Sequence, residues 1–340
     1  MSIRIGIMGF GRIGKNIFRQ ACQDEDIEIV AISDLGTPES MAYLLEYDTI
    51  YGRFPGDVTL EGKHLRAGRQ RTRLLQGTRP ENMTWDAYGA DIVIESTGVY
   101  RHRAELQGHI DAGAKRVILT TPAVDDIDRT IVHGLNDQNL SPDDRLVSCA
   151  STTTHVLGLM IKILDDAVGV EHAMMTTVHA YSSDQKLSDS ATPDLRRSRS
   201  AAENLIPNST WSPDIVEKML PHLAGKLGGL AINVPVPNGS NLDLSAQLKR
   251  TVTADEVNEI VRKTAEGNLK GYVQYATEPI VSSDVIGNKH SAVFDSLATI
   301  ALPGGLVKTI CWYDNGWGYA GRILETVRTL GGFLAREQRG

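Results

Sequence analysis

Cysteine is scarce in this sequence: Cys22, Cys149 and Cys311 are the only thiols in 340 residues. Three scattered cysteines exclude a disulfide framework, and their spacing suits no zinc site, so no metal is expected. Long apolar runs are absent too. No stretch approaches about 18 apolar residues, so no spanning helix and no membrane partner are expected. Positive charge is not in excess. Against 42 Asp and Glu stand 35 Lys and Arg, a formal charge of −7, and nucleic acid is not the expected partner. No internal repeat or low-complexity tract occurs. No apolar leader with a cleavage site precedes the first strand-like run, so the expected location is cytoplasmic and reducing.

What is present is ordinary for a globular chain: 41% hydrophobic and 23% charged residues. At roughly 150 residues per domain the length suggests about two domains. The first half alternates apolar strand-like runs (Ile3–Met8, Ile27–Ser33, Asp91–Glu95, Val117–Thr121) with helical spacing at Lys15–Gln23, Met41–Leu45 and Arg103–Ala112. Gly52–Gln76 alternates like hairpin strands. That order predicts a parallel sheet covered on both faces. After a helix predicted over Thr153–Val168, longer alternating runs follow at Ala173–Ala180, Leu230–Val236, Leu242–Leu248, Leu297–Leu302 and Leu306–Trp312. With helices predicted at Asp255–Thr264 and Trp317–Phe333, the second half reads as an antiparallel sheet with helices on one face. Ser182–Ser200 is a long polar segment without glycine, the kind of loop that serves a site or an interface.

Gly9-Phe10-Gly11-Arg12-Ile13-Gly14 follows the first strand and opens a helix. In that setting the three glycines have separate tasks. Gly9 makes the tight turn, Gly11 lets a pyrophosphate approach the backbone, and Gly14 lets helix and strand pack closely. The helix start at Arg12 and Ile13 offers free N–H groups and the positive end of the dipole. Asp34 closes the second strand, twenty residues beyond Gly14, where a carboxylate should accept from the adenosine ribose. Its charge would repel a 2′-phosphate, which favours NAD over NADP.

Beyond this fingerprint the chain resembles a known family along nearly its whole length. The matching stretches are Leu44-Leu45-Glu46-Tyr47-Asp48, Tyr51-Gly52-Arg53-Phe54-Pro55-Gly56, Glu95-Ser96-Thr97-Gly98-Val99-Tyr100, Thr176-Thr177-Val178-His179-Ala180-Tyr181, Asp194-Leu195-Arg196-Arg197-Ser198-Arg199, Val281-Ser282-Ser283-Asp284 and Trp312-Tyr313-Asp314-Asn315. They resemble the phosphorylating glyceraldehyde-3-phosphate dehydrogenases, which include the erythrose-4-phosphate dehydrogenases. The resemblance implies an α/β chain with an N-terminal Rossmann dinucleotide-binding domain, residues 1–150 with the C-terminal helix 315–340. It also implies an α+β catalytic domain, residues 151–314, with a mostly antiparallel sheet. It further implies a homotetramer in which the long polar loop lines a neighbour's cofactor site. By the same resemblance Asn315 binds the nicotinamide carboxamide, Thr97, Gly98 and Thr121 line the cofactor, and His179 is the catalytic base.

The departures from the family pattern bear on chemistry. The family's nucleophile is the cysteine of Ala-Ser-Cys-Thr-Thr-Asn-Cys. This chain reads Ala150-Ser151-Thr152-Thr153-Thr154-His155, and Thr152 takes the cysteine position with the family's spacing to His179. Cys149 lies three residues earlier. It reads as a small buried apolar residue, with a displaced nucleophile as the alternative. A thiol is readily activated, whereas a threonine hydroxyl is far less acidic, is crowded by its methyl group, and would give an ester rather than a thioester. Phosphorylating turnover through a covalent intermediate is therefore expected to be absent or weak.

Anion recognition is altered as well. Asn233 takes an arginine position and cannot supply charged, forked donors. Ser182 replaces a threonine, with Asp184 beside it. Thr210 is kept, but a glycine becomes Trp211, whose indole is expected to fill space otherwise left for a small anion. Ser151 and Thr153 keep hydroxyls near Thr152. Arg197 is the loop arginine best placed to approach a substrate. Ser190 and Ala191 replace a Leu-Pro pair typical of strict NAD users and are compatible with NADP; Asp34 keeps NAD the favoured cofactor. Three readings follow: an NAD-binding oxidoreductase acting on a small hydroxy or aldehyde substrate by non-covalent hydride transfer, a catalytically silent NAD-binding or partner-binding relative, and an authentic phosphorylating glyceraldehyde-3-phosphate dehydrogenase.

Overall fold

The computed structural model describes residues 2–77 and 79–337. Residues 1, 78 and 338–340, which the expected domain limits include, lie outside the described residues. The chain divides into two compact units. One comprises Met1–Ile131, Asp137–Ser151 and Tyr319–Gly340; the other comprises Val132–Asn136 and Thr152–Gly318.

The first unit contains β1 (Ile3–Met8), α1 (Arg12–Ala21), β2 (Ile27–Asp34), α2 (Pro38–Glu46), the short pair β3 (Tyr47–Asp48) and β4 (Gly52–Arg53), then β5 (Val58–Glu61), β6 (His64–Ala67), β7 (Gln70–Gln76), β8 (Ile92–Glu95), α3 (Arg103–Asp111), β9 (Arg116–Leu119), β10 (Arg129–Thr130) and β11 (Leu146–Ser148). Nine strands form one sheet in the order β10-β11-β9-β8-β1-β2-β7-β6-β5. Pairing is parallel from β10 to β7 and antiparallel over the β7-β6-β5 edge. Every residue of β8, Ile-Val-Ile-Glu, is buried, as a strand covered on both faces requires. Helix α1 sends Ile17, Phe18 and Ala21 into the core, where each is fully buried. For Ile17 and Phe18 that contributes about 1.5–3 kcal/mol each. The chain winds from β1 to β2 on one side and returns to β8 on the other. The carboxyl ends of β1 and β8 therefore mark the point where the strand order reverses, the place where open α/β sheets bind ligands.

The second unit contains α4 (Thr152–Val168), β12 (Val170–Ala180), β13 (Ile206–Asn208), α5 (Ser212–Met219), β14 (Leu227–Val234), β15 (Ser240–Leu248), α6 (Ala254–Glu266), β16 (Val273–Ala276), β17 (Ala292–Ala301) and β18 (Leu306–Tyr313). The helix α7 (Trp317–Glu337) follows. The sheet order is β13-β14-β12-β15-β18-β17-β16, antiparallel except for β12–β14 and β16–β17. Strand β15 alternates buried and half-buried residues without a break, the pattern of a sheet packed on one face. Helix α4 fills that core with Val156, Leu157, Leu159, Met160 and Ile163.

The sequence patterns place most of the long elements, cover only the second half of β17, and miss β10, β11, β13, α5 and β16. Four of these are strands of two to four residues, and α5 buries only Ser212, Pro213 and Val216, too little to generate a helical stripe. The polar segment 182–200 forms no regular element. It is tied to itself instead: Ser190 N donates to Ser198 O (2.8 Å), Ser200 Oγ to Leu187 O (2.7 Å), and Arg199 pairs with Asp189 (2.9 Å).

Candidate functional site

In the first unit the glycine motif closes β1 against α1. Gly9 has φ +91°, a left-handed value costly for any side chain, and a Cβ there would sit 2.7 Å from Thr97 N. At Gly14 a Cβ would lie 2.3 Å from the Gly9 carbonyl oxygen, so only glycine permits this approach of helix to turn. Gly11 is different: a Cβ would meet nothing within 4 Å. Its bareness therefore leaves open room rather than relieving a clash, as a backbone approached by a pyrophosphate needs. No side chain caps α1, so the first N–H groups of Arg12, Ile13 and Gly14 keep their capacity to donate.

Asp34 is half-buried beside this turn. Its carboxylate accepts from Phe10 N (2.6 Å) and Gly36 N (2.8 Å) and keeps lone-pair positions for further donors. Ser96 Oγ donates to Gly9 O (2.6 Å), joining the end of β8 to the phosphate-type loop. Thr97 is half-buried, Gly98 is exposed with φ +73°, and a Cβ on Gly98 would also meet nothing. Thr121 Oγ1 is buried without a hydrogen-bond partner among the described residues. Open glycines, uncapped N–H groups and spare carboxylate acceptors fit a dinucleotide.

In the second unit His179 stands half-buried near the end of β12. Its Nδ1 lies 2.6 Å from the Ala180 carbonyl, which can only accept, so Nδ1 carries the proton and Nε2 the lone pair. Asn315 Nδ2 faces that lone pair at 3.4 Å. Both ends of the Asn315 amide exchange hydrogen bonds with the Ser240 hydroxyl (2.9 and 2.6 Å), and Asn315 N donates to Asn238 Oδ1 (2.8 Å). The amide expected at a carboxamide thus also braces the imidazole.

Thr152 begins α4 and is half-buried; Ser151 precedes it. The turn before them is strained, because Ala150 has φ +54°. Thr153, expected to orient substrate, is buried, and its hydroxyl bonds to Tyr313 Oη (2.9 Å). Tyr313 Oη also meets Thr177 Oγ1 (2.7 Å), and its ring stands edge-on to His179 with centroids 6.3 Å apart. Burial raises the Tyr313 pKa, against the pull of Thr153, Thr177 and Ser240, so the phenol keeps its proton. The first turn of α4 is therefore pinned through Tyr313 to the strand that carries His179.

Asn233 is buried on β14 and lies opposite His179 in register. Asn208 Nδ2 points at its Oδ1 (3.4 Å). Here the structure brings an uncharged amide beside the imidazole. Ser182 Oγ donates to Asp184 (2.5 Å), and Asp184 pairs with Arg197 (3.1 Å), so these three form one cluster in the polar loop. Thr210 Oγ1 bonds with Ser212 Oγ (3.3 Å), which reaches Thr154 Oγ1 on α4 (3.0 Å). The indole of Trp211 does not fill an enclosed space; it is 47% exposed. Helix α5 buries Ser212 and Pro213, while Trp211 just ahead of it stays half exposed.

The cysteines are all buried and unpaired with one another. Cys149 is fully buried, with Sγ 3.3 Å from Thr326 Oγ1 within the first unit, and burial pushes its pKa up to about 12. Burial does the same to Cys22, also to about 12, and raises Cys311 further. Thiols in this state are poor nucleophiles. Among the described residues no cluster of three or more metal-ligating side chains occurs, and no helix is long and apolar enough to cross a membrane.

Sequence reasoning missed Trp85, Glu95 and His109, which meet below the Thr97 turn, and Ser240, which holds Asn315. A charged Glu95 ending the apolar run Ile92-Val93-Ile94 was the available signal, since such a residue needs a buried partner.

Comparison with known proteins follows from these positions. Residues 3–103 match the family described as glyceraldehyde 3-phosphate dehydrogenase, NAD binding domain, and residues 148–315 match its C-terminal domain. The chain is 45% identical to glyceraldehyde-3-phosphate dehydrogenase 1 of Streptomyces avermitilis over 336 residues, 98% of this chain and 100% of that protein. It is 42% identical to glyceraldehyde-3-phosphate dehydrogenase 1 of Bacillus subtilis over 338 residues, 99% of each chain. The Mycobacterium leprae glyceraldehyde-3-phosphate dehydrogenase is 42% identical, with 97% of this chain and 99% of that protein covered.

Proposed function

The chain belongs to the glyceraldehyde-3-phosphate dehydrogenase family, and from that premise we propose that it is an NAD-dependent oxidoreductase that works without a nucleophilic sulfur. The observation that carries this reading is the burial of all three thiols, together with Thr152 at the position that resemblance assigns to the cysteine. The cofactor is NAD. Residues 1–150 with the C-terminal segment from 315, whose helix runs over Trp317–Glu337, are read as its domain and 151–314 as the catalytic domain. Gly9, Gly11, Arg12, Ile13, Gly14, Asp34, Thr97, Gly98 and Thr121 are the groups that would hold it, with Asn315 at the carboxamide.

When bound, NAD supplies a two-electron hydride acceptor. The chain's own residues handle the proton. The lone pair on His179 Nε2 would accept it from a substrate hydroxyl in an oxidation whose hydride the bound cofactor would receive. Thr152 and Ser151 offer hydroxyls to orient that substrate. Asn233 beside His179 favours a neutral or weakly charged small hydroxy compound or aldehyde over a phosphate ester. Asp184 already partners Arg197, which lowers that arginine's pull on an anion.

We read the assembly as a cytoplasmic homotetramer. Met174 and Leu230 lie on one face of the second sheet, and both are exposed in the single chain, as residues of a subunit contact would be. The test is an NADH absorbance screen over small alcohols and aldehydes. His179→Ala should cut kcat by about 10²–10⁴. NAD binding without turnover on any substrate would overturn the reading in favour of a silent cofactor-binding relative. The 42–45% identity to proteins named glyceraldehyde-3-phosphate dehydrogenase supports a second reading, oxidation of that aldehyde. Rapid phosphate-dependent turnover with an acyl thioester on Cys149 would establish it.

A further inference from the structure

We propose that Glu95 and His109 are positioning residues for the dinucleotide: a buried carboxylate–imidazole pair that fixes the shape and hydrogen-bond polarity of the turn at Thr97–Val99. The proposal rests on the reading that this turn faces the cofactor.

Trp85, Glu95 and His109 are each fully buried in the first unit. Their hydrogen bonds have only one consistent direction. An indole N–H can only donate, and Trp85 Nε1 lies 3.0 Å from His109 Nδ1. Nδ1 is therefore the bare nitrogen, and the single ring proton sits on Nε2. That proton points at Glu95 Oε2, 3.1 Å away. The other carboxylate oxygen accepts from Thr97 N (2.8 Å) and from Thr97 Oγ1 (2.5 Å). Thr97 Oγ1 in turn accepts from Val99 N (3.0 Å). Every group facing the carboxylate is a donor, so Glu95 is the anion and His109 is neutral.

Among the described residues neither lysine nor arginine pairs with this charge. Charged side chains on the elements packed around the pair are bonded elsewhere. Arg116 on β9 goes to Glu337 (2.5 Å) and Pro142 O (2.7 Å). Arg4 on β1 goes to Tyr88 O (3.0 Å). On α3, Glu105 accepts from Arg101 N and His102 N, Arg103 pairs with Asp128, and Asp111 accepts from Gln107. Oriented dipoles alone hold the buried anion, and a half-satisfied set of this kind is costly. The arrangement is therefore stiff, and its stiffness ends in the Thr97 turn. Because Thr97 donates its hydroxyl proton inward, its oxygen can only accept from a ligand. The turn then selects ligand groups that donate, such as hydroxyls and amides.

The test uses isosteric variants of the full chain, with the NAD dissociation constant and melting temperature measured for each. Glu95→Gln leaves one acceptor oxygen for two donors, so its NH2 must face either the His109 Nε2 proton or Thr97 N–H. Both are satisfied at once only if the ring moves its proton to Nδ1, where Trp85 N–H already points. NAD binding should weaken about tenfold, the scale of a lost hydrogen bond to a charged group. Adding Trp85→Phe removes the second donor, frees the ring to change tautomer, and should restore at least half of the lost affinity on a logarithmic scale. Purely structural roles would make the two substitutions add, and additive loss overturns the proposal. In the unmodified chain, nitrogen-15 histidine labelling should report His109 protonated at Nε2 alone; protonation at Nδ1 overturns it even if no variant folds. Thr97→Val separates the two layers. No change in NAD affinity there rejects the cofactor-facing turn itself, whereas weakening there without weakening in Glu95→Gln rejects only the positioning role.

Discussion

Replacing Thr152 by cysteine puts a thiol where the fold has every device to activate one. Position 152 is half-buried and opens α4, with the dipole of a long helix behind it. The native thiols supply almost no background. Cys149 and Cys22 are both pushed up to about 12, so at pH 8 only about one in 10⁴ of each is thiolate, and burial shields even that fraction. A cysteine at 152 with merely the ordinary thiol pKa near 8.5 would be about one-quarter thiolate at the same pH, a ratio on the order of 10³. Helix and imidazole would widen the gap. Alkylation with iodoacetamide at pH 8, followed by peptide mass mapping, should find no fast thiol in the native chain and one in Thr152→Cys. A fast-reacting Cys149 in the native chain would refute the claim that no sulfur stands ready. A cysteine at 152 no faster than the buried three would refute the placement of that position at an accessible helix start.

Two further substitutions separate space from strain. Gly11→Ala adds a methyl group that meets nothing, so the melting temperature should hold while NAD affinity falls more than tenfold; Gly14→Ala drives a methyl group into the Gly9 carbonyl and should lower both, as calorimetry and fluorescence titration would show. Ala150→Val places a branched side chain at φ +54° in a buried turn and should cost at least about 2 kcal/mol in urea unfolding, whereas Ala150→Gly relieves the same strain and should cost less than about 1 kcal/mol.

The long elements were legible because their cores are periodic. Ile17, Phe18 and Ala21 declare α1, and the unbroken alternation of β15 declares a sheet with one packed face. The glycine motif was legible in finer detail, since Gly9, Gly11 and Gly14 meet three different surroundings that match three different tasks. Side-chain destinations were not legible. Thr153 sits beside Thr152 in sequence, yet one hydroxyl goes into the core to Tyr313 while the other stays half-exposed, and a helix turns its neighbours about 100° apart. The His109–Glu95 pair joins residues fourteen apart through a strand and a helix, and only the fold brings them together.

Sealing all three cysteines in packed interior has a consequence for hostile chemistry. Peroxides convert accessible thiolates to sulfenic acid and beyond, which silences enzymes that depend on them. This chain offers such oxidants no exposed sulfhydryl. Hydride chemistry should therefore continue at peroxide doses that silence thiolate-dependent enzymes.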